Sequence, residues 1–339
     1  MIIDGYSLLL IAPYEIEFNK IKVDTEEVLP DELVAVTEYT AISPGTEIAA
    51  YVGAPPLRPG PAYPRLLGYC NAAKVVHTGD NAGNFKPGDR ILTFESHKSV
   101  FRTAKEKVIA KIPKNVESGE AVITYLLHLG YNALLRGGIK PGYNVAVIGL
   151  GVLGLGAVLQ ADLYGANVYS FSNYEDRLIL AKNLGAKFAY LKNGTGLEDK
   201  IRQDAGETGI DLVVTTSNSW SDWKLALSLP RVNGTISVLG FPGRTEGLPD
   251  FNPLDSQYFY DRQLTLIASG YAPDYLIDSK DIRFTIKRNM EFLLSLISDG
   301  KILPGNLISG VFDFNEIEKA YGNLISGKES PITYVLRWF

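Results

Sequence analysis

The stretch NVAVIGLGVLGLG, Asn144 to Gly156, decides how this chain is read. An apolar run of strand type enters Gly149, Gly151 and Gly154, spaced G-x-G-x-x-G, and an apolar helical pattern begins directly behind them. Each glycine answers a different demand: Gly149 permits the tight turn, Gly151 lets the backbone approach a pyrophosphate, and Gly154 lets the helix pack close to its strand. The diphosphate then sits on N–H groups at the positive end of the helix, those of Val152 and Leu153 among them. The motif alone is a weak signal; set between a strand and a helix it predicts a dinucleotide-binding unit.

The next strand, NVYSFSN (Asn167 to Asn173), should end on the residue that meets the adenosine ribose. A site for the unphosphorylated ribose places Asp or Glu there to accept from the 2′-hydroxyl. Here Ser172 is followed by Asn173, with Arg177 one helical turn on. Hydroxyl, amide and guanidinium can donate to a 2′-phosphate that a carboxylate would repel. The pattern favours NADPH/NADP+ over NADH/NAD+. Glu175 and Asp176 stand close by and weigh against it, although acids also suit the first turn of a helix. Tyr190 ends the following strand and either lines the adenine or phosphate pocket or simply packs.

Strands and helices keep alternating to about residue 271, which predicts a doubly wound parallel sheet, a Rossmann domain over 123–271. The flanking texture differs. Residues 1–122 carry short β-type segments such as SLLLIA, ELVAVTEYTAI, NAAKVVHTG, DRILTF and KVIAKIP, punctuated by Gly and Pro, the pattern of an antiparallel barrel. Ser118 is a plausible cap for the helix that follows. Residues 272–339 add two amphipathic helices and a terminal strand, ITYVLRWF. The expected class is therefore α/β, with a β-rich barrel domain (1–122 and 272–339) beside the Rossmann domain.

Composition narrows the function. A net charge of −5 with no basic run argues against nucleic acid or an anionic membrane as partner. One cysteine excludes an internal disulfide and any multi-cysteine zinc site. The N-terminus has no basic region ahead of its short apolar run, and Val145 to Leu159 is shorter than a spanning helix needs. A cytoplasmic location is expected.

Several segments resemble the medium-chain dehydrogenase/reductase superfamily, and the likeness runs along the whole chain. AISPGTE (Ala41 to Glu47) resembles the loop that carries the first catalytic zinc ligand in alcohol dehydrogenases. LLGYCNAAKVV (Leu66 to Val76) resembles their Gly-His-Glu strand. FKPGDRILTF, YNALLRGGIKPGYNVAVIGLGVLG and DLVVTTSNSWSDWKLALSLPRVNGTISVLGFPG are similar to later family segments. The resemblance implies a GroES-like barrel domain and a zinc-free branch, alcohol dehydrogenase-like or quinone oxidoreductase-like. The positions of the zinc ligands are held by Pro44, Tyr69 and Tyr125, and Cys70 stands where the family has Glu. One soft ligand cannot make the three-ligand site of a catalytic zinc, so no metal is expected. Cys70 reads as packing, since nothing near it in sequence lowers a thiol pKa.

Without a metal, hydrogen-bond donors must relieve the charge that develops on oxygen during hydride transfer. The resemblance implies that Tyr69 faces the cleft as a possible acid, that Thr46 matches the proton-relaying hydroxyl, and that Glu47 matches the acid behind the metal ligands. Thr46 and Glu47 read equally well as fixing a turn and a helix start. Tyr125 and Tyr131 are implied to border the nicotinamide, Tyr131 reading more naturally as helix packing, as does His128. Backbone at Gly240, Phe241, Ser269 and Gly270 is implied to meet the nicotinamide ring and its amide. The strand LTLIASG lies where relatives continue their sheet into a homodimer. Tyr51, Leu57, Arg58 and Tyr63 flank the implied substrate cleft or form a solvent-facing loop. The function expected is zinc-independent, NADP(H)-dependent hydride transfer to or from a small-molecule carbonyl, alcohol or activated double bond. The alternative is a nucleotide-binding scaffold or redox sensor on the same fold.

Overall fold

Alternating apolar and polar residues open the chain as a hairpin. In the computed structural model, which describes residues 1–57, 60–270 and 282–339, β1 (Ile2–Ala12) pairs antiparallel with β2 (Glu15–Asp24). EIEFNKIKVD alternates over Ile16 and Phe18 and again, one position out of phase, over Ile21 and Val23, and β2 is absent from the strands expected above. Next come β3 (Glu32–Ala41), α1 (Pro44–Tyr51), β4 (Arg65–Leu66), β5 (Asn71–Thr78), β6 (Arg90–Thr93), β7 (Val100–Ala104), β8 (Ala110–Lys111) and α2 (Ser118–Ala121). The cap of α2 is Glu117, not Ser118, whose hydroxyl instead donates to Glu38.

Helix α3 (Thr124–Arg136) leads into β9 (Asn144–Ile148), α4 (Val152–Leu163), β10 (Asn167–Ser172), α5 (Glu175–Asn183), β11 (Phe188–Leu191), α6 (Leu197–Ala205), β12 (Ile210–Thr215), α7 (Trp220–Ser228), β13 (Pro230–Val238) and β14 (Thr265–Ala268). These strands form one parallel sheet in the order β11-β10-β9-β12-β13-β14. The order reverses between β9 and β12, which opens a crevice at the carboxyl ends of the strands. All of β9 is buried, as a central parallel strand must be. Tyr169 and Phe171 of β10, Tyr190 of β11, Ile201 and Ala205 of α6, and Trp223, Ala226 and Leu227 of α7 share one core cluster.

The chain ends with α8 (Ile286–Ser298), β15 (Gly310–Asp313), α9 (Ile317–Ser326) and β16 (Tyr334–Arg337). β16 pairs antiparallel with β3, so the C-terminal return completes a seven-stranded sheet beside the three-stranded β2-β1-β4 sheet. Ile42, Tyr321, Leu336 and Trp338 share a core with Leu8 and Leu10. The chain divides into two compact units, Met1–Tyr125 with Pro273–Phe339, and Leu126–Ala272. Among the described residues no helix is long and apolar enough to cross a membrane.

Candidate active site

The first unit gathers its candidate residues at the start of α1. Ser43 caps that helix, and its carbonyl accepts the N–H groups of Thr46 and Glu47. This turn sets both side chains. Cys70 leads into β5, with its carbonyl bound to the N–H of Ala41, and so brings Tyr69 alongside. The Tyr69 phenol donates to Ser43 Oγ at 2.5 Å, and Thr46 Oγ1 lies 3.4 Å from the same oxygen. Tyr125 meets the Tyr69 ring edge-on with centroids 5.7 Å apart, and Phe94 packs on Tyr125 in turn. Thr46, Tyr69, Leu9, Arg65 and Leu67 help line a cavity of about 420 Å³. Burial pushes the Tyr69 phenol well above its ordinary range, so it stays protonated as a donor.

Glu47 is placed differently. Its carboxylate accepts from the Ser43 N–H at 2.6 Å, from Tyr321 Oη at 2.6 Å and faces His97 Nε2 at 2.8 Å. On its far side His97 Nδ1 meets Thr40 Oγ1 at 2.8 Å, and that oxygen accepts from Trp338 Nε1 at 3.0 Å. Glu47, His97 and Tyr321 are all buried. A consistent direction runs Trp338 to Thr40 to His97 to Glu47, with His97 Nε2–H donating to the carboxylate. A buried carboxylate is stable only when its oxygens are bonded in this way. Glu47 thus holds Ser43, which holds Tyr69. Gly68 belongs to the same packing: its φ is +78°, and a Cβ there would fall 2.6 Å from the His97 ring.

A catalytic zinc does not fit these residues. Pro44 offers no donor, Tyr69 is held as a neutral phenol, the Glu47 oxygens are taken, and Cys70 is buried in the packing. Among the described residues no group of three His, Cys, Asp or Glu side chains is placed to hold a metal ion. Tyr51 is buried in the core, and Leu57 and Tyr63 pack against it, with Tyr63 donating to the Ala50 carbonyl. These three pack in the core and do not project into solvent; Arg58 lies outside the described residues.

The second unit carries the glycine cradle. Gly149 has φ +88°, Gly151 caps α4 with no side-chain bond to the helix start, and a Cβ on Gly151 would meet nothing within 4 Å. A Cβ on Gly154 would lie 1.8 Å from the Gly149 carbonyl oxygen. So Gly154 is fixed by packing, and Gly151 leaves room for a ligand at the first N–H groups of α4, where Val152 and Leu153 stand. This geometry suits a diphosphate. Thr216 Oγ1 donates to the Gly149 carbonyl at 2.8 Å and steadies the turn. Gly130 of α3 lies against Leu153 and Ala157 so tightly that a Cβ would be 2.7 Å from the Leu153 carbonyl oxygen.

The ribose-end residues separate. Ser172 closes β10 and accepts from the Tyr174 N–H, Asn173 is exposed, and Arg177 donates to the Leu150 carbonyl at 2.9 Å, tying α5 to the cradle. Tyr190 points elsewhere: its phenol donates to Asp204 at 2.5 Å and its ring stacks on Phe171 in the core, the packing role. Gly240 is pressed on the Ser217 carbonyl, 2.2 Å from where a Cβ would sit, while the Phe241 N–H bonds Asn218 Oδ1. The Ser269 hydroxyl is buried against Ser237, and its carbonyl accepts from Asn132; Gly270 is exposed. His128 and Tyr131 are both buried in α3, which makes them packing residues.

Sequence reasoning missed Ser43, His97, Tyr321 and Thr216. Ser43 had a signal, since Ser-Pro begins a helix well. His97 and Tyr321 had none, because they lie 50 and 274 positions from Glu47.

A family model described as zinc-binding dehydrogenase matches residues 152–275. The zinc-type alcohol dehydrogenase-like protein YdjJ of Escherichia coli K12 is 23% identical over 345 residues, covering 91% of this chain and 92% of its own. The NADP-dependent isopropanol dehydrogenase of Thermoanaerobacter brockii is also 23% identical, over 88% of this chain and 91% of that protein. A crystal structure of an Escherichia coli oxidoreductase/dehydrogenase of unknown specificity superposes with a TM-score of 0.84 at 19% identity, covering 99% of each chain.

Proposed function

The chain belongs to the medium-chain dehydrogenase/reductase superfamily, and from that premise we propose a zinc-independent, NADP(H)-dependent oxidoreductase acting on a small-molecule carbonyl, alcohol or activated double bond. The observation that carries this reading is the Ser43–Tyr69–Thr46 hydroxyl cluster beside a cavity, with Tyr69 at a position that the resemblance gives to a metal ligand in zinc-dependent relatives.

The nicotinamide nucleotide supplies or accepts the hydride. In this chain Gly149 to Gly154 would hold its diphosphate on the N-terminal end of α4. In the reducing direction, negative charge grows on the substrate oxygen. Tyr69 is protonated throughout the working range and donates to it, with Thr46 as a second hydroxyl. Ser43 Oγ accepts from the phenol and so fixes where the Tyr69 oxygen stands. Glu47 acts as a positioning residue that fixes the Ser43 backbone. The Ser172–Asn173–Arg177 pattern, with no carboxylate closing β10, supports the phosphorylated cofactor, as does the similarity to the NADP-dependent isopropanol dehydrogenase.

We extend the proposal to a cytoplasmic homodimer. Its support is that β14 forms an edge of the described sheet, where strand pairing with a second copy has room.

The test is NADPH oxidation by chelator-treated protein against enones, quinones, aldehydes and ketones, with elemental analysis alongside. Turnover with less than stoichiometric zinc supports the reading; one zinc per chain required for activity overturns it. Tyr69→Phe should slow turnover by about a hundredfold, as loss of one donor to a developing oxyanion does, while nucleotide affinity holds. Unchanged turnover removes Tyr69 from the mechanism.

A further inference from the structure

A buried ion pair lies at the carboxyl edge of the parallel sheet, and the reading above does not use it. Lys192 is the first residue beyond β11, and its N–H donates to the Ser172 carbonyl at 3.0 Å. Its Nζ bonds both carboxylate oxygens of Asp222, at 2.6 and 2.7 Å, with side-chain exposures of 13% and 6%. Asp222 sits in the first turn of α7, the helix that follows β12. In sheet order β10 and β9 lie between β11 and β12. The pair thus runs from the end of one edge strand to the helix beyond the crevice, on the face where α6 and α7 share their core with β10 and β11.

Helix stability does not account for the pair. The start of α7 already has the Ser219 side chain on the Ser221 N–H and the Glu246 carboxylate on the Trp220 N–H. Taking two opposite charges out of water is costly, and apolar residues of similar volume often serve as well. The pair also stands beside Ser172, the residue that closes the strand facing the ribose.

We propose that Lys192 determines selectivity at the ribose 2′ position, with Asp222 setting how much of its charge the 2′-substituent feels. This rests on the nicotinamide nucleotide reading above. A 2′-phosphate brings close to two negative charges and strong acceptor oxygens. Lys192 can share itself between that group and Asp222, whereas a 2′-hydroxyl gives it no reason to turn. Arg177 already spends one donor on the Leu150 carbonyl, and Glu175 and Asp176 are exposed acids, so a 2′-phosphate there needs a further cation, which Lys192 can supply.

The experiment is calorimetric titration of the full chain with NADPH and with NADH, at low and high salt. Lys192→Met should weaken NADPH by about tenfold or more, by removing the cation and uncovering Asp222, and leave NADH unchanged. Asp222→Asn should tighten NADPH and steepen its salt dependence. The double variant Lys192→Met/Asp222→Asn carries no buried charge and serves if the single variants fold poorly; it too should lose the NADPH preference. An unchanged NADPH-to-NADH ratio, with both nucleotides still binding, overturns the role of Lys192 and spares the nucleotide reading. No binding of either nucleotide by the unsubstituted protein overturns both.

Discussion

Tyr321→Phe removes one oxygen from the most enclosed polar network of the first unit. Tyr321 is fully buried and donates to Glu47 Oε2 at 2.6 Å. The same oxygen faces His97 Nε2 at 2.8 Å, while Oε1 takes the Ser43 N–H. Without the phenol, Glu47 keeps two donors and a hole too small for water. A hydrogen bond to a charged group is worth about 1.5–3 kcal/mol net. The easier burial of a phenyl ring offsets part of that, so the expected loss is about 2 kcal/mol, roughly thirtyfold in the unfolding constant. Urea unfolding at neutral pH, followed by tryptophan fluorescence, should show a lower midpoint with an unchanged slope. The alkaline limb gives a second readout. Burial and the Glu47 charge hold the Tyr321 pKa well above its ordinary value. Above about pH 10 the unfolded chain loses this proton and the folded chain keeps it, so stability falls as pH rises. Tyr321→Phe should make that fall shallower. A midpoint within about 0.5 kcal/mol of the parent, the scatter of neutral surface changes, together with an unchanged alkaline limb, would refute the network.

Two further outcomes follow from the second unit. Gly154→Ala forces a Cβ onto the Gly149 carbonyl, an overpacking of about 1–3 kcal/mol that displaces the cradle. Gly151→Ala meets nothing in the protein, so it should leave the unfolding midpoint alone yet weaken nucleotide uptake in calorimetry; equal effects of the two variants on stability would contradict the assigned roles. Burial lowers the His128 pKa from 6.5 to about 4. Between those values the unfolded chain binds the extra proton, so stability is present above pH 6.5 and is lost as pH falls, by up to about 3 kcal/mol. His128→Leu should flatten that acid limb in pH-dependent unfolding, and an unaltered limb would show that His128 is already protonated in the folded chain.

The second unit was legible because its constraints are local. A glycine that must turn, one that must admit a ligand and one that must touch a carbonyl sit within six positions, and the strand and helix around them declare themselves by period. The structure puts Gly149, Gly151 and Gly154 in that turn, Ser172 at the end of β10 and Arg177 in α5. Sequence could not say that the Tyr190 phenol turns to Asp204, since a strand residue's facing depends on which helix covers the sheet. Nor could it show that Gly240 is glycine because Ser217 lies against it. Strand β2 was missed because its alternation is carried by single apolar residues among charges.

Sequence by itself determined the glycine turn between strand and helix and the α/β class. It did so because backbone conformation and hydrophobic period are properties of neighbouring residues. Only the tertiary structure decided what surrounds Glu47. One partner, Ser43, caps Glu47's own helix, but the others, His97 and Tyr321 of α9, come from far along the chain, and a buried charge is satisfied by whatever the fold brings within 3 Å.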